Sequence, residues 1–143
     1  MQIRKAAKKD VSEMVKLMIK EFSKPPYNDK WTIKSSKESI LRSMKIGVAY
    51  VCVDNKKIIG LISITKEPYY EPIALIDNLI VESSYQGKGI GKLLVKKVEE
   101  TYRKKGFSML YTITNKKAPA VKFYKKLGYK EGKGNITLSK KLK

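Results

Sequence analysis

At 143 residues and 16.3 kDa the chain suits one domain, and 42% hydrophobic residues supply a core. One cysteine, Cys52, and no histidine exclude an internal disulfide framework, Cys-rich zinc sites and every Ser-His, Cys-His or histidine acid–base mechanism. The net charge of +19 is almost all lysine, with arginine only at positions 4, 42 and 103, which favours polyanion attraction in general over base-specific readout of nucleic acid.

In chain order, residues 2–6 form a short strand. Asp10 reads as the N-cap of a first helix, with Glu13 completing a capping box and Val11, Met14, Val15, Met18, Ile19 and Phe22 at helical spacing. Residues 24–28 end that helix and open a loop carrying Tyr27 and Trp31. Ser35 or Ser36 caps a second helix that buries Ile40, Leu41 and Met44 and closes at Gly47. Residues 48–53 and 57–65 then read as a hairpin around Asp54-Asn55-Lys56, with Cys52 at a core position of its first strand. Residues 73–81 form a long apolar strand. A glycine-rich turn leads into a third helix to about residue 105, with Ile90, Leu94, Val98 and Tyr102 on one stripe. A strand at 108–114, a helix at 116–127 and a last strand at 135–139 complete the chain. The strand–helix–strand unit at 73–114 implies a partly parallel sheet covered on both faces.

Two local features carry chemistry. From Glu67 to Gly87 there is no Lys or Arg, while Glu67, Glu71, Asp77 and Glu82 are acidic. The other feature is Gln86-Gly87-Lys88-Gly89-Ile90-Gly91, between an apolar strand and an amphipathic helix. Unpaired N–H groups at a helix start, the helix dipole and residues without side chains make this a natural phosphate site. It is not a P-loop, because Gly91-Lys92 is followed by Leu93, and the third glycine of a dinucleotide fingerprint would fall on Lys92.

The pattern Gln86-x-x-Gly89-x-Gly91 after a strand and before a helix resembles the acetyl-CoA site of the GNAT N-acetyltransferases. Residues 76–81 resemble that family's fourth strand, and Asn115, Ala118, Phe123-Tyr124 and Leu127-Gly128-Tyr129 resemble the second half of its cofactor site. The resemblance covers nearly the whole chain and implies one α/β domain over residues 1–143. That fold is a mixed central sheet of about six or seven strands, splayed between the fourth and fifth, with about four helices on both faces.

It also implies roles. Gln86, Gly87, Lys88, Gly89, Ile90, Gly91 and Lys92 would hold the CoA pyrophosphate, and the backbone of Leu79, Ile80 and Val81 would pair with pantetheine. Asn115 and Ala118 would line the pantetheine arm, and Tyr124 would protonate the departing thiolate, as a phenol with an ordinary pKa of about 10 can. Asp77 sits where some members carry a proposed base; acting through water as base and merely binding the acceptor both stay open.

The expected reaction is acetyl transfer from acetyl-CoA to a primary amine by direct attack in a ternary complex, without metal. A cationic acceptor would be repelled by the overall charge and drawn to the cation-free stretch, so Tyr27, Trp31, Glu67, Tyr69, Tyr70, Glu71 and Asp77 are its candidate contacts. The alternative is a non-catalytic CoA-binding module whose basic surface binds nucleic acid, a partner disfavoured by the lack of an arginine cluster. No apolar run approaches a membrane span and the N-terminus lacks a signal-peptide pattern, so a cytoplasmic location without membrane partners is expected. A homodimer would need an apolar or strand-edge patch to overcome the charge.

Overall fold

The computed structural model describes residues 1–68 and 71–143. Its elements run β1 (Gln2–Lys5), α1 (Val11–Phe22), α2 (Ile33–Ile46), β2 (Gly47–Asp54), β3 (Lys57–Lys66), β4 (Ile73–Val81), α3 (Ile90–Lys104), β5 (Met109–Thr112) and α4 (Ala120–Lys126). The strands form one sheet in the order β1-β2-β3-β4-β5, antiparallel except for the parallel β4–β5 pair. Asn55 and Lys56 both take positive φ in the β2–β3 turn, the conformation whose twist matches a two-residue hairpin.

The sheet has five strands among the described residues, not six or seven. The alternation at 135–139 forms no strand: Ile136 and Leu138 are 83% and 85% exposed, in a lysine-rich tail with too little apolar surface to offset the entropy of ordering it. The helix expected from residue 116 starts at Ala120, because residues 116–119 are spent in turns.

Helix caps also depart from the local reading. Asp10 holds the N-cap position of α1 as expected, but its side chain makes no capping bond: its carboxylate accepts from the Ala7 N–H (2.7 Å) and forms a two-pronged pair with Arg4 at 2.7 and 2.9 Å. Glu13 crosses to β3 and accepts from the Ile58 N–H at 3.1 Å. The N-cap of α2 is Thr32, with Ser35 as its capping-box partner three residues on. Leu41 is 38% exposed rather than inward. Ile40 is buried and Met44 half-buried against the core as expected, and the sheet-facing stripe also includes Ser36 and Ser43, whose small side chains allow close approach. Gly47 is needed for contact rather than for a left-handed turn: a β-carbon there would collide with the Ile64 carbonyl oxygen.

The core lies on both sheet faces. Val48, Tyr50, Cys52, Ile62, Ile64, Ala74 and Ile76 pack against α3 and α4, and Ala49, Val51, Leu61 and Ile80 against α1 and α2. Each fully buried Leu, Ile or Val contributes about 1.5–3 kcal/mol relative to exposure. The phase of β4 changes at a bulge: Ser63 pairs with Asn78 and Ile64 with Ile76, so Asp77 has no partner in β3. Ile76 and Leu79 therefore both face α3, and the residues between them turn to the α2 side, where Asp77 accepts from Ser43 at 3.0 Å.

Candidate active site

β5 pairs with only Ile73–Ile76 of β4, so among the described residues the rest of β4 has no strand beside it on that side. The chain then turns sharply into α3. The Gln86 carboxamide donates to the Val81 carbonyl (2.9 Å) and fixes the start of the turn, while Gly87 and Gly89 take φ of 77° and 83°, which a branched residue adopts only with strain. A β-carbon at either glycine would meet nothing within 4 Å, so both backbones are open to an approaching group. The first return bond of α3 is Leu93 N–H to Gly89 O (3.0 Å), leaving the N–H groups of Ile90, Gly91 and Lys92 without backbone partners among the described residues. These donors and the helix dipole suit an anion.

The bare β4 edge and this helix start share one cleft of about 680 Å³. Its walls are Leu79, Ile80, Val81 and the glycine turn, the end of α1 with Pro25, Pro26 and Tyr27, and Pro119, Ala120, Phe123 and Lys126 of the α4 region. Lys92 and Lys126 set positive charge at this cleft. Tyr27 stacks edge-on against Phe22, ring centres 5.3 Å apart, and both line the wall.

Thus the structure brings Tyr27, Leu79, Ile80, Val81, Gln86, Gly87, Gly89, Ile90, Gly91 and Lys92 together. Lys88 leans on the Tyr85 ring, 5.1 Å from its centre, beside the same turn. Trp31 does not line the cleft; it packs toward α1 and α2 and donates to Asp29 at 3.3 Å. Glu67 is half-buried and Glu71 exposed on the β3–β4 connection, outside the cleft lining, and Asp77 stays with Ser43 on the α2 side. Tyr69 and Tyr70 lie outside the described residues.

Asn115 is exposed, and its Oδ1 accepts from the Lys117 N–H (2.8 Å), shaping the turn in which Ala118 is buried. Tyr124 is buried beside the cleft wall rather than in it, its ring edge-on to Phe123 and Tyr129, each 5.1 Å away. Burial pushes its phenol well above the ordinary tyrosine value, with a hydrogen bond to Thr112 opposing the shift and the nearby Tyr27 adding to it. The phenol is therefore protonated at neutral pH. Burial likewise pushes up the thiol of the fully buried Cys52.

One acid that local sequence reading passes over belongs to the site. Glu21, buried at the end of α1, lines the cleft and accepts from the Ser83 hydroxyl (2.6 Å) and N–H (3.2 Å) and from Lys24 (3.2 Å). Burial alone would raise its carboxyl, but these donors outweigh it and hold the group below its usual value. The only sequence signal was an acid on the otherwise apolar stripe of α1. Glu82, which precedes Ser83 in the chain, is also buried, bridging Lys20 of α1 and Lys57 of β3 at 2.8 Å each, and anchors the start of the turn to two other elements. Among the described residues no group of three or more His, Cys, Asp or Glu could hold a metal, and no helix is long and apolar enough to cross a membrane.

The sequence matches the acetyltransferase (GNAT) family over residues 13–129. Among solved structures the chain is similar to a transcriptional regulator from Bacillus halodurans C-125 (23% identity, TM-score 0.79, 96% of this chain and 98% of that one). It is similar also to a possible acetyltransferase from Clostridium difficile 630 (17%, 0.84, 99% and 98%). A third is AAC(6')-Iy in complex with the bisubstrate analog CoA-S-monomethyl-acetylneamine (18%, 0.77, 98% and 97%). At these identities the likeness establishes the fold, a mixed α/β sheet with a parallel β4–β5 pair and helices on both faces. Because the family match spans most of its length, the chain belongs to the GNAT acetyltransferase family.

Proposed function

We propose that this protein is an acetyl-CoA-dependent N-acetyltransferase whose acceptor is a primary, cationic amine such as a small amine, polyamine or peptide amine. The observation that carries the reading is the convergence of two unpaired backbone surfaces on one cleft: the start of α3, suited to a pyrophosphate, and the edge of β4 beyond Ile76, suited to the amides of pantetheine. The complex of AAC(6')-Iy with an analog joining CoA to an amine-bearing molecule supports a ternary mechanism on this fold.

In this mechanism residues 86–92 bind the pyrophosphate, Leu79, Ile80 and Val81 the pantetheine, and Asn115 and Ala118 the far side of the arm. The amine nitrogen attacks the thioester carbon, the N–C bond forms, the C–S bond breaks, and Tyr124 gives its proton to the thiolate. The nitrogen loses a proton in turn. With no histidine in the chain, Asp77 receives it through water or serves only to hold the ammonium group beforehand.

Thiol release from acetyl-CoA, measured with spermidine, free lysine, a lysine-bearing peptide and an aminoglycoside, tests the reading. Release with at least one amine, and a product acetylated on nitrogen, is expected. Acetyl-CoA left intact by every amine, or acetylation on oxygen, overturns it.

A further inference from the structure

Lys24 lies two residues beyond the end of α1 and lines the cleft together with Glu21, Ser83 and the glycine turn. Its ammonium donates to the Ser83 hydroxyl (2.8 Å) and to both Glu21 oxygens (3.2 and 3.3 Å), and that hydroxyl donates in turn to Glu21 at 2.6 Å. The three groups close a ring that ties α1 to the segment entering the turn, where the Ser83 carbonyl accepts from the Gln86 N–H at 3.3 Å. An ammonium has three N–H groups. One goes to Ser83 and one is shared by the two Glu21 oxygens. The third has no partner among the described residues, on a side chain that is still 44% exposed.

Charge gives this ring a purpose beyond joining two elements. Glu21 is the only acid lining the cleft among the described residues, and a buried carboxylate there would oppose an anion arriving at the start of α3. Lys24 offsets that charge. Because two of its N–H groups are already engaged, it offers the third at little further cost in side-chain entropy. We propose that Lys24 binds the pyrophosphate of acetyl-CoA through this third N–H, so that the end of α1 and the start of α3 share one ligand group. The proposal rests on the reading of residues 86–92 as the pyrophosphate site. Glu21 and Ser83 touch no ligand in it; they are positioning residues that hold the ammonium in place.

The test titrates wild type, Lys24→Met, Glu21→Gln and the Lys24→Met/Glu21→Gln double variant calorimetrically with CoA and with dephospho-CoA, which lacks only the 3′-phosphate. Pantetheine, which lacks the pyrophosphate, is measured by displacement of CoA. Lys24→Met should raise the Kd of CoA and of dephospho-CoA about tenfold each, the size of one hydrogen bond to a charged group, and leave pantetheine within about threefold. The same factor of about ten should separate Glu21→Gln from the double variant. Wild-type CoA affinity in Lys24→Met overturns the role of Lys24 and leaves the glycine turn standing. Weakening that extends equally to pantetheine marks a mere tie between α1 and the turn. Weakening confined to CoA assigns the lysine to the 3′-phosphate, and weakening that disappears in the Glu21→Gln background marks a lysine that only neutralises its neighbour. Each of these overturns the proposal. A wild-type protein that binds CoA no better than pantetheine overturns the reading of the turn as well.

Discussion

A β-carbon on Gly91 would lie 3.3 Å from Cζ of Phe123, so the last glycine of the turn marks where α3 and α4 touch. Gly87 and Gly89 serve differently: they have open space around them and left-handed backbones. The two kinds of glycine should separate on mutation. Gly91→Leu should destabilise the fold by about 1–3 kcal/mol through overpacking against Phe123. Gly89→Val should cost about 1–2 kcal/mol of backbone strain and also weaken CoA at least tenfold, because the side chain stands over the donors at the helix start. Thermal melts and calorimetric titration with CoA read the two effects.

Gly47→Ala should be among the most damaging small substitutions in the chain. The obstacle is the Ile64 carbonyl, which is backbone in a central strand and cannot rotate away. A loss of about 3 kcal/mol in urea unfolding is expected, at the upper end of overpacking costs.

Tyr124→Phe keeps the ring and its two aromatic neighbours and removes only the proton donor. Turnover should fall about 10²-fold or more with acetyl-CoA affinity unchanged. Because burial raises the phenol, wild-type kcat should show no loss from Tyr124 ionisation as pH rises through its ordinary value of about 10. A basic limb that appears near that value and vanishes in the Phe variant would contradict this.

Stability should weaken in acid through Asp10. The Arg4 hydrogen bonds hold its carboxyl below the usual range, and the Ala7 N–H adds to the effect against the cost of burial. A folded pKa below the unfolded one means this stabilisation is fully present above the unfolded value of about 3.9 and is lost as pH falls through the folded value. Asp10→Asn should therefore cost about 1–3 kcal/mol at pH 7 and progressively less in acid. Urea midpoints of the two proteins at pH 7 and pH 3 make the comparison.

If the acceptor is a cation drawn to the cation-free stretch, its KM should rise at least threefold in one or more of Glu67→Gln, Glu71→Gln and Asp77→Asn, with the acetyl-CoA KM unmoved. Steady-state kinetics with the preferred amine decides it. A neutral or anionic preferred acceptor would refute the electrostatic argument.

Much of this molecule was legible locally. The bounds of β4, the buried stripe Ile90, Leu94, Val98 and Tyr102, the β2–β3 hairpin and the glycine turn follow from side-chain period and from conformations only certain residues adopt. These are properties of a few consecutive residues, and they carried both the family and the anion-suited helix start.

What only the tertiary structure decided are partnerships across the chain. Asp10 and Glu13 have the spacing of a capping box, yet Asp10 goes to Arg4 and Glu13 to the Ile58 N–H, because folding brings stronger or otherwise unsatisfied partners within reach. One extra residue in β4 turns Asp77 toward Ser43, a choice made by registry with β3 and invisible in β4 itself. In Phe123-Tyr124 the helix period puts the two rings on different faces, but the packing of α4 against Gly91 selects which lines the cleft and which is buried behind it. Sequence thus determined where the backbone could turn and which faces were apolar, since those depend on covalent geometry and solvent. The pairing of charges and hydroxyls was left to distances that exist only once the sheet has assembled.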